Sequence, residues 1–122
     1  MAIILHITTR AAWEAARAAG SYRDPSLERE GFIHCSTPAQ AVGTADRYFR
    51  GRDDLVLLCI DESRLTDVRH EPPAVIGGAP DPRAGEWFPH VYGPIALDAV
   101  VRVVPFPCDP DGGFTLPAEV AG

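Results

Sequence analysis

Six consecutive apolar residues, Leu55 to Ile60, constrain this chain more than any other feature. A run so short and unbroken predicts a strand at the centre of a sheet. Ala2 to Ile7, apolar and β-branched, predicts a second buried strand. After it, Thr8 or Thr9 offers a helix cap, the Ala-rich stretch Arg10 to Ala19 places Trp13 and Ala16 on one face, and Gly20 supplies a stop.

The remaining chain reads as shorter pieces. Tyr22 to Glu30, interrupted by Pro25, predicts a loop with one helical turn, and Gly31 to Cys35 a short strand. Thr37, Pro38, Ala39 and Gln40 combine an N-cap, a proline at the first helical position and a capping-box partner. The helix they start carries Ala41, Val42, Ala45, Tyr48 and Phe49 at helical spacing and ends at Gly51. Val68 to Glu71 and Ala99 to Val104 are further strand candidates. Pro72 to Gly85 is Pro- and Gly-rich and reads as a long loop and lid. The expected fold is α+β, with two main helices on a curved, mostly antiparallel sheet. Positions 1–105 form a single domain, and 106–122 a loosely ordered tail.

With 122 residues, one domain is the natural size. Eleven basic against seventeen acidic side chains leave a net charge of −6 with no basic run, which disfavours general nucleic-acid binding. A local phosphate site built on Arg52, Arg69 or Arg83 needs only one or two guanidiniums. No stretch approaches the roughly 20 apolar residues of a membrane span. The start, MAIILHITT, lacks the marks of a secretory signal, so a cytoplasmic location is expected. Cys35, Cys59 and Cys108 are odd in number and lack C-x-x-C spacing, which predicts reduced thiols.

Three of the four histidines precede a hydroxyl side chain by two positions: His6-Ile7-Thr8, His34-Cys35-Ser36 and His90-Val91-Tyr92. In extended chain such pairs share a face, so each segment presents an imidazole beside a hydroxyl. For His6 the alternation places Ile3, Leu5 and Ile7 toward the core, with Ile4, His6 and Thr8 facing away. Imidazole and hydroxyl together suit a sugar, a phosphate, an amide or proton transfer. Each pair also has a structural reading: Thr8 and Ser36 as helix caps, Tyr92-Gly93-Pro94 as a turn with a packed ring. His70 lacks the pattern and reads as a surface residue. Glu71 and Glu86 are the acids nearest these segments and serve either to orient a histidine or as solvated carboxylates. Trp87 and Phe88 read equally as a stacking wall or as core. Rossmann, P-loop, zincin and α/β-hydrolase signatures are all absent.

The segments LHITT, GFIHCST, RGRDDLVLLCID and FPHVYGPI resemble a small bacterial family of unknown function over about Ala2 to Val104. That family is distantly similar to the ADP-ribosyltransferase fold. The resemblance implies that His6 with Thr8 holds a ribose hydroxyl of NAD, and that His34 and Ser36 form the second motif. At the third position the superfamily usually carries a Glu; this chain has Phe88-Pro89-His90-Val91-Tyr92. A histidine or a phenol does not supply the fixed negative charge that a ribosyl cation calls for. Ordinary ADP-ribosyl transfer would then need Glu71 or Glu86 from elsewhere in the fold. Phosphotransfer to NAD, related nucleotide processing, or binding without turnover survives the departure better.

The expected ligand is thus of NAD or ADP-ribose type. His34, His90 and Glu71 are the candidate catalytic residues, and His6, Thr8, Ser36 and Tyr92 the candidate binding residues. Two further readings stay open. One is a Zn²⁺ or Fe²⁺ site from His6, His34, His90 and Glu71, although no two of these share a strand or helical turn. The other is a non-catalytic interaction module that uses the Pro-rich loop and the tail.

Overall fold

The computed structural model describes residues 2–73, 82–83 and 85–121. The chain opens with β1 (Ile3–Thr9) and passes directly into α1 (Arg10–Ala19). Thr9 Oγ1 accepts the Ala12 amide at 3.0 Å, and Gly20 closes the helix at φ 92°, a conformation that glycine adopts without a Cβ clash. Next come β2 (Ser21–Tyr22), α2 (Ser26–Glu30) and β3 (Ile33–His34). The second long helix, α3 (Ala41–Tyr48), begins after a turn over 38–40 instead of at Pro38. Gln40 Oε1 still accepts the Thr37 amide at 3.0 Å, so one half of the capping box is made. The rest of the chain forms β4 (Leu55–Asp61), β5 (Val68–Glu71), β6 (Phe88–Val91), β7 (Ile95–Ala96), β8 (Val100–Pro105) and α4 (Ala118–Ala121).

Among the described residues every ladder is antiparallel. β4 lies between β1 and β8, β6 lies between β3 and β5, and β2 pairs with β7. Among the described residues, the single curved sheet expected from the sequence is therefore divided into three. Two of its parts meet where Leu5 and Ser36 exchange backbone hydrogen bonds of 2.7 and 2.8 Å. That junction sets the end of β3 against the middle of β1.

All seven residues of β4 are buried, because the sheet it centres is covered on both faces. Val56, Leu58 and Ile60 pack with Ile4, Ala16, Tyr22, Ile33, Val91 and Ile95. Leu55, Leu57 and Cys59 pack on the opposite face with Leu5, Ile7, Ala41, Ala45, Val104 and Phe106. This corrects the expected alternation in β1. Ile4, His6 and Thr8 do point away from Leu5 and Ile7, but toward the face of β4 that carries Val56, Leu58 and Ile60, and all three are buried.

The end of the chain is also held. Phe106 and Phe114 are buried in the core that holds Leu5, Ile7 and Leu57, and Gly51 N–H and Phe114 N–H bond Gly112 O and Asp46 Oδ1 at 2.9 Å each. Pro-, Gly- and Asp-rich composition predicts a loose tail, but two aromatic anchors override it. Positions 74–81 and 84 of the expected lid lie outside the described residues. No helix among the described residues is long and apolar enough to cross a membrane. Cys35 and Cys59 are buried, Cys108 is half-buried, and all three are free thiols.

Candidate functional site

Strand register brings the three hydroxyl-linked histidines to one place. His34 lies directly opposite His90 in the β3–β6 ladder, so the rings share a face and meet edge-on with centroids 5.7 Å apart. The Leu5–Ser36 junction brings β1, and with it His6, alongside. His6, His34, Ser36 and His90 line one cleft of about 340 Å³, together with Asp24, Arg29, Glu30, Thr44, Arg83 and Phe88. This is at the small end of the roughly 300–1,000 Å³ typical of ligand sites.

His6 is engaged by the protein at both nitrogens. Nδ1 lies 2.6 Å from the His34 carbonyl, which accepts only, so Nδ1 carries a proton and donates. Nε2 lies 2.8 Å from the Tyr22 hydroxyl and 3.5 Å from Asp24 Oδ1. The same hydroxyl is 2.8 Å from Asp24 Oδ1 and 3.0 Å from Thr8 Oγ1. Burial, and to a smaller extent the Asp24 charge, push the Tyr22 phenol well up, so it stays protonated. Burial would raise the Asp24 carboxyl too. The hydrogen bond and charge of His6, with the Ser26 amide, outweigh that and hold it well below the usual carboxylate range. Thr8 faces this network and does not line the cleft.

His34 and His90 are arranged differently. His34 Nε2 pairs with the Glu30 carboxylate, and His90 Nδ1 lies 2.8 Å from Glu71 Oε1. The Tyr92 hydroxyl donates to that same Glu71 oxygen at 2.6 Å. The Tyr92 bond, then the His90 bond, hold the Glu71 carboxyl below its ordinary value. The bond to Glu71, assisted by burial, pushes the Tyr92 phenol up. Burial lowers the His90 imidazole despite Glu71, which favours the neutral ring. Phe32 stacks on His90 with ring centres 4.1 Å apart.

The other nitrogens, His34 Nδ1 and His90 Nε2, have no hydrogen-bond partner among the described residues. No buried polar side-chain atom there lacks a partner, so both open nitrogens reach accessible space. Glu71 and Tyr92 themselves do not line the cleft. Glu71, expected among the catalytic groups, and Tyr92, expected to bind ligand, both stand behind His90 and orient it.

Of the three arginines considered for a phosphate, only Arg83 lines the cleft. Its Nη1 donates to Thr44 Oγ1 at 2.8 Å and its guanidinium covers the Phe88 ring at 4.6 Å. Arg52 pairs with Asp54 and Arg69 with Asp67, outside it. Phe88 is a buried cleft wall, whereas Trp87 is 61% exposed. Glu86 accepts from Gln40 Nε2 at 3.4 Å on the surface, and exposed His70 pairs with Glu62. Sequence reasoning missed Tyr22, Asp24, Glu30, Phe32 and Thr44. Only Glu30 left a trace there, as an acid four positions before His34. Among the described residues no three His, Cys, Asp or Glu side chains are grouped to hold a metal ion, so the His6, His34, His90 and Glu71 site has no geometric support.

No curated protein matches the chain. Among solved structures it is similar to protein CC0527 from Caulobacter crescentus. The crystal structure of CC0527 has TM-score 0.84 and 34% identity, with 98% of this chain and 99% of that one covered. The solution NMR structure of the same protein has TM-score 0.78 and 34% identity, covering 99% and 98%. Residues 7–103, which include every cleft histidine except His6, match the family described as "Protein of unknown function (DUF952)", and the chain belongs to that family.

Proposed function

We propose that this chain is an ADP-ribosyltransferase-like protein of transferase type that holds an NAD- or ADP-ribose-type ligand in the histidine-lined cleft. One observation carries the reading: His34, Ser36 and His90, distant in sequence, face a single cleft that also contains a guanidinium, Arg83. Imidazole and hydroxyl groups suit ribose oxygens, and a guanidinium suits a phosphate. The cleft volume of about 340 Å³ favours one ribose-phosphate unit inside, with the rest of a dinucleotide outside.

His34 and His90 handle protons, while His6, committed to Tyr22, Asp24 and the His34 carbonyl, shapes the wall. Neither Glu71 nor Glu86 lines the cleft; Glu30 does, paired with His34. That pairing takes up the negative charge a ribosyl cation would need, which disfavours ordinary ADP-ribosyl transfer. Free Cys35, Cys59 and Cys108 suit a cytoplasmic setting.

Calorimetric titration with NAD and with ADP-ribose tests the proposal. Heat of binding is expected, weakened about tenfold in His34→Ala, the equivalent of one lost hydrogen bond. Absence of heat at millimolar ligand, from protein shown to be folded, would overturn it.

A further inference from the structure

Among the described residues, neither Ser36 nor Cys35 is ready to act as a covalent nucleophile. Ser36 Oγ is 3.2 Å from Thr44 Oγ1, and Cys35 is buried in the core, where desolvation pushes its thiol up. What the cleft does contain is a pair of imidazoles on facing strands, each tied to a carboxylate at one nitrogen and open at the other. A carboxylate on one nitrogen fixes the ring's orientation and tautomer and leaves the second to exchange protons. Two such rings flanking a scissile bond allow one to take a proton while the other gives one.

We infer that this cleft hydrolyses a small ribose phosphodiester, of which a nucleoside 2′,3′-cyclic phosphate is the simplest, with His34 and His90 as its acid–base pair and Arg83 against the phosphate. The inference rests on the ribose-phosphate reading of the cleft and adds the reaction and the bond. His90 Nε2 takes a proton from water as the water oxygen bonds to phosphorus. One ribose P–O bond then breaks, and protonated His34 gives its Nδ1 proton to the departing ribose oxygen. Cyclic diester and water become a monoester, and solvent returns both rings to their starting states. No oxidant, nucleophilic side chain or fixed anion is needed. A net charge of −6 opposes polymeric nucleic acid and leaves a mononucleotide-sized substrate.

The assignment of base and acid follows the surroundings. His90 is 3% exposed and stacked on Phe32, facing Glu71 from β5 and His34 from β3, with Arg69 opposite it in register. Burial there favours the neutral form, the base. His34 is more open and pairs with Glu30 from α2, which fixes its ring with Nδ1 open, and the role of acid falls to it as the second ring of the pair. The rate is therefore expected to follow a bell in pH, with Glu71 as a positioning residue acting through His90.

The test uses the whole chain with adenosine 2′,3′-cyclic phosphate in excess EDTA, followed by phosphorus NMR, with calorimetric binding of ADP-ribose alongside. Monoester should appear, and His34→Ala and His90→Ala should each lower kcat about 10²- to 10⁴-fold, with KM raised by no more than about tenfold. His90→Gln, which can keep the Glu71 bond, should be equally impaired, separating chemistry from folding. Glu71→Gln should lower kcat less and move one limb of the pH profile. Binding of ADP-ribose without turnover overturns this inference and leaves the ligand reading standing; neither heat nor turnover overturns both. Turnover that survives in the His34→Ala/His90→Ala double variant, or that EDTA abolishes, also overturns it.

Discussion

His6 and His90 carry the same imidazole-x-hydroxyl spacing and are almost equally buried, at 4% and 3% exposure, yet they occupy opposite kinds of site. Around His6 the partners close a loop: the His34 carbonyl, Tyr22, Asp24 and Thr8 satisfy one another. Around His90 the hydroxyl of the motif and the carboxylate gather on one side of the ring, and the other nitrogen stays open. The lesson is that the motif by itself does not make a working histidine. An imidazole with both nitrogens satisfied inside the protein cannot bind ligand without breaking a buried bond, whereas one held from behind is positioned to do so.

The largest effect expected from this contrast is on stability at the closed network. His6→Ala removes a packed ring and leaves Tyr22, Asp24 and a backbone carbonyl short of a partner, a loss of about 3 kcal/mol in urea unfolding. His90→Ala should cost clearly less than that for its polar contacts, because Glu71 keeps Tyr92 and solvent. Equal losses would break the comparison. Tyr22→Phe is the next largest. It deletes the one hydroxyl shared by His6, Asp24 and Thr8 while keeping the ring in the core, and about 2 kcal/mol is expected. ADP-ribose affinity should be kept within about twofold, since Tyr22 does not line the cleft.

Why one cluster was legible in sequence and the other was not is a matter of range. The α1 boundaries, with Thr9 and Gly20 at its ends, and the strands at 55–60 and 68–71 depend on local spacing and emerge as expected. The strand at 88–91 was blurred by Pro89, which has no amide to give yet sits in the central strand of its sheet. The two-residue ladder that pairs Tyr22 with Ile95 is too short to show any period. Without that ladder nothing marks Tyr22 or Asp24 as partners of His6. Glu30 reaches His34 across the turn at Gly31, a contact between a short helix and a strand that helical spacing does not describe. The tail misled because Phe106 and Phe114 stand among prolines, glycines and aspartates that show no period, and each is an anchor. Local signals survive in sequence; register and long-range hydrogen bonds do not.

The two clusters should also separate along the pH axis. His90 has its folded pKa lowered by burial, so between that value and the unfolded one of about 6.5 the unfolded chain binds more protons. Stability from this group is full above about 6.5 and declines as pH falls through it. Asp24 and Glu71 are also lowered in the fold, so their contribution is full above roughly 4 and declines only below it. Unfolding free energy against pH should then show two steps, an upper one removed by His90→Gln and a lower one reduced by Tyr22→Phe. A lone step near pH 4, unchanged by His90→Gln, would mean that folding leaves the His90 pKa where it is in the unfolded chain.

The smallest expected change in stability is at His34. Its side chain and that of Glu30 are both 28% exposed, and ion pairs in such positions contribute about 0–1 kcal/mol because solvent competes for both partners. His34→Gln keeps the volume and a donor while removing the ring, so unfolding should shift by less than about 0.5 kcal/mol. The strand around it is held through other atoms: its carbonyl takes the His6 Nδ1–H, and Cys35 N–H bonds the Pro89 carbonyl at 3.0 Å. None of these contacts uses the His34 ring. A ring that can be exchanged without loss of stability, yet not without loss of ligand heat, is there for the cleft. If His34→Gln instead unfolds the protein as readily as His6→Ala does, the two clusters are one structural network and the cleft loses its acid.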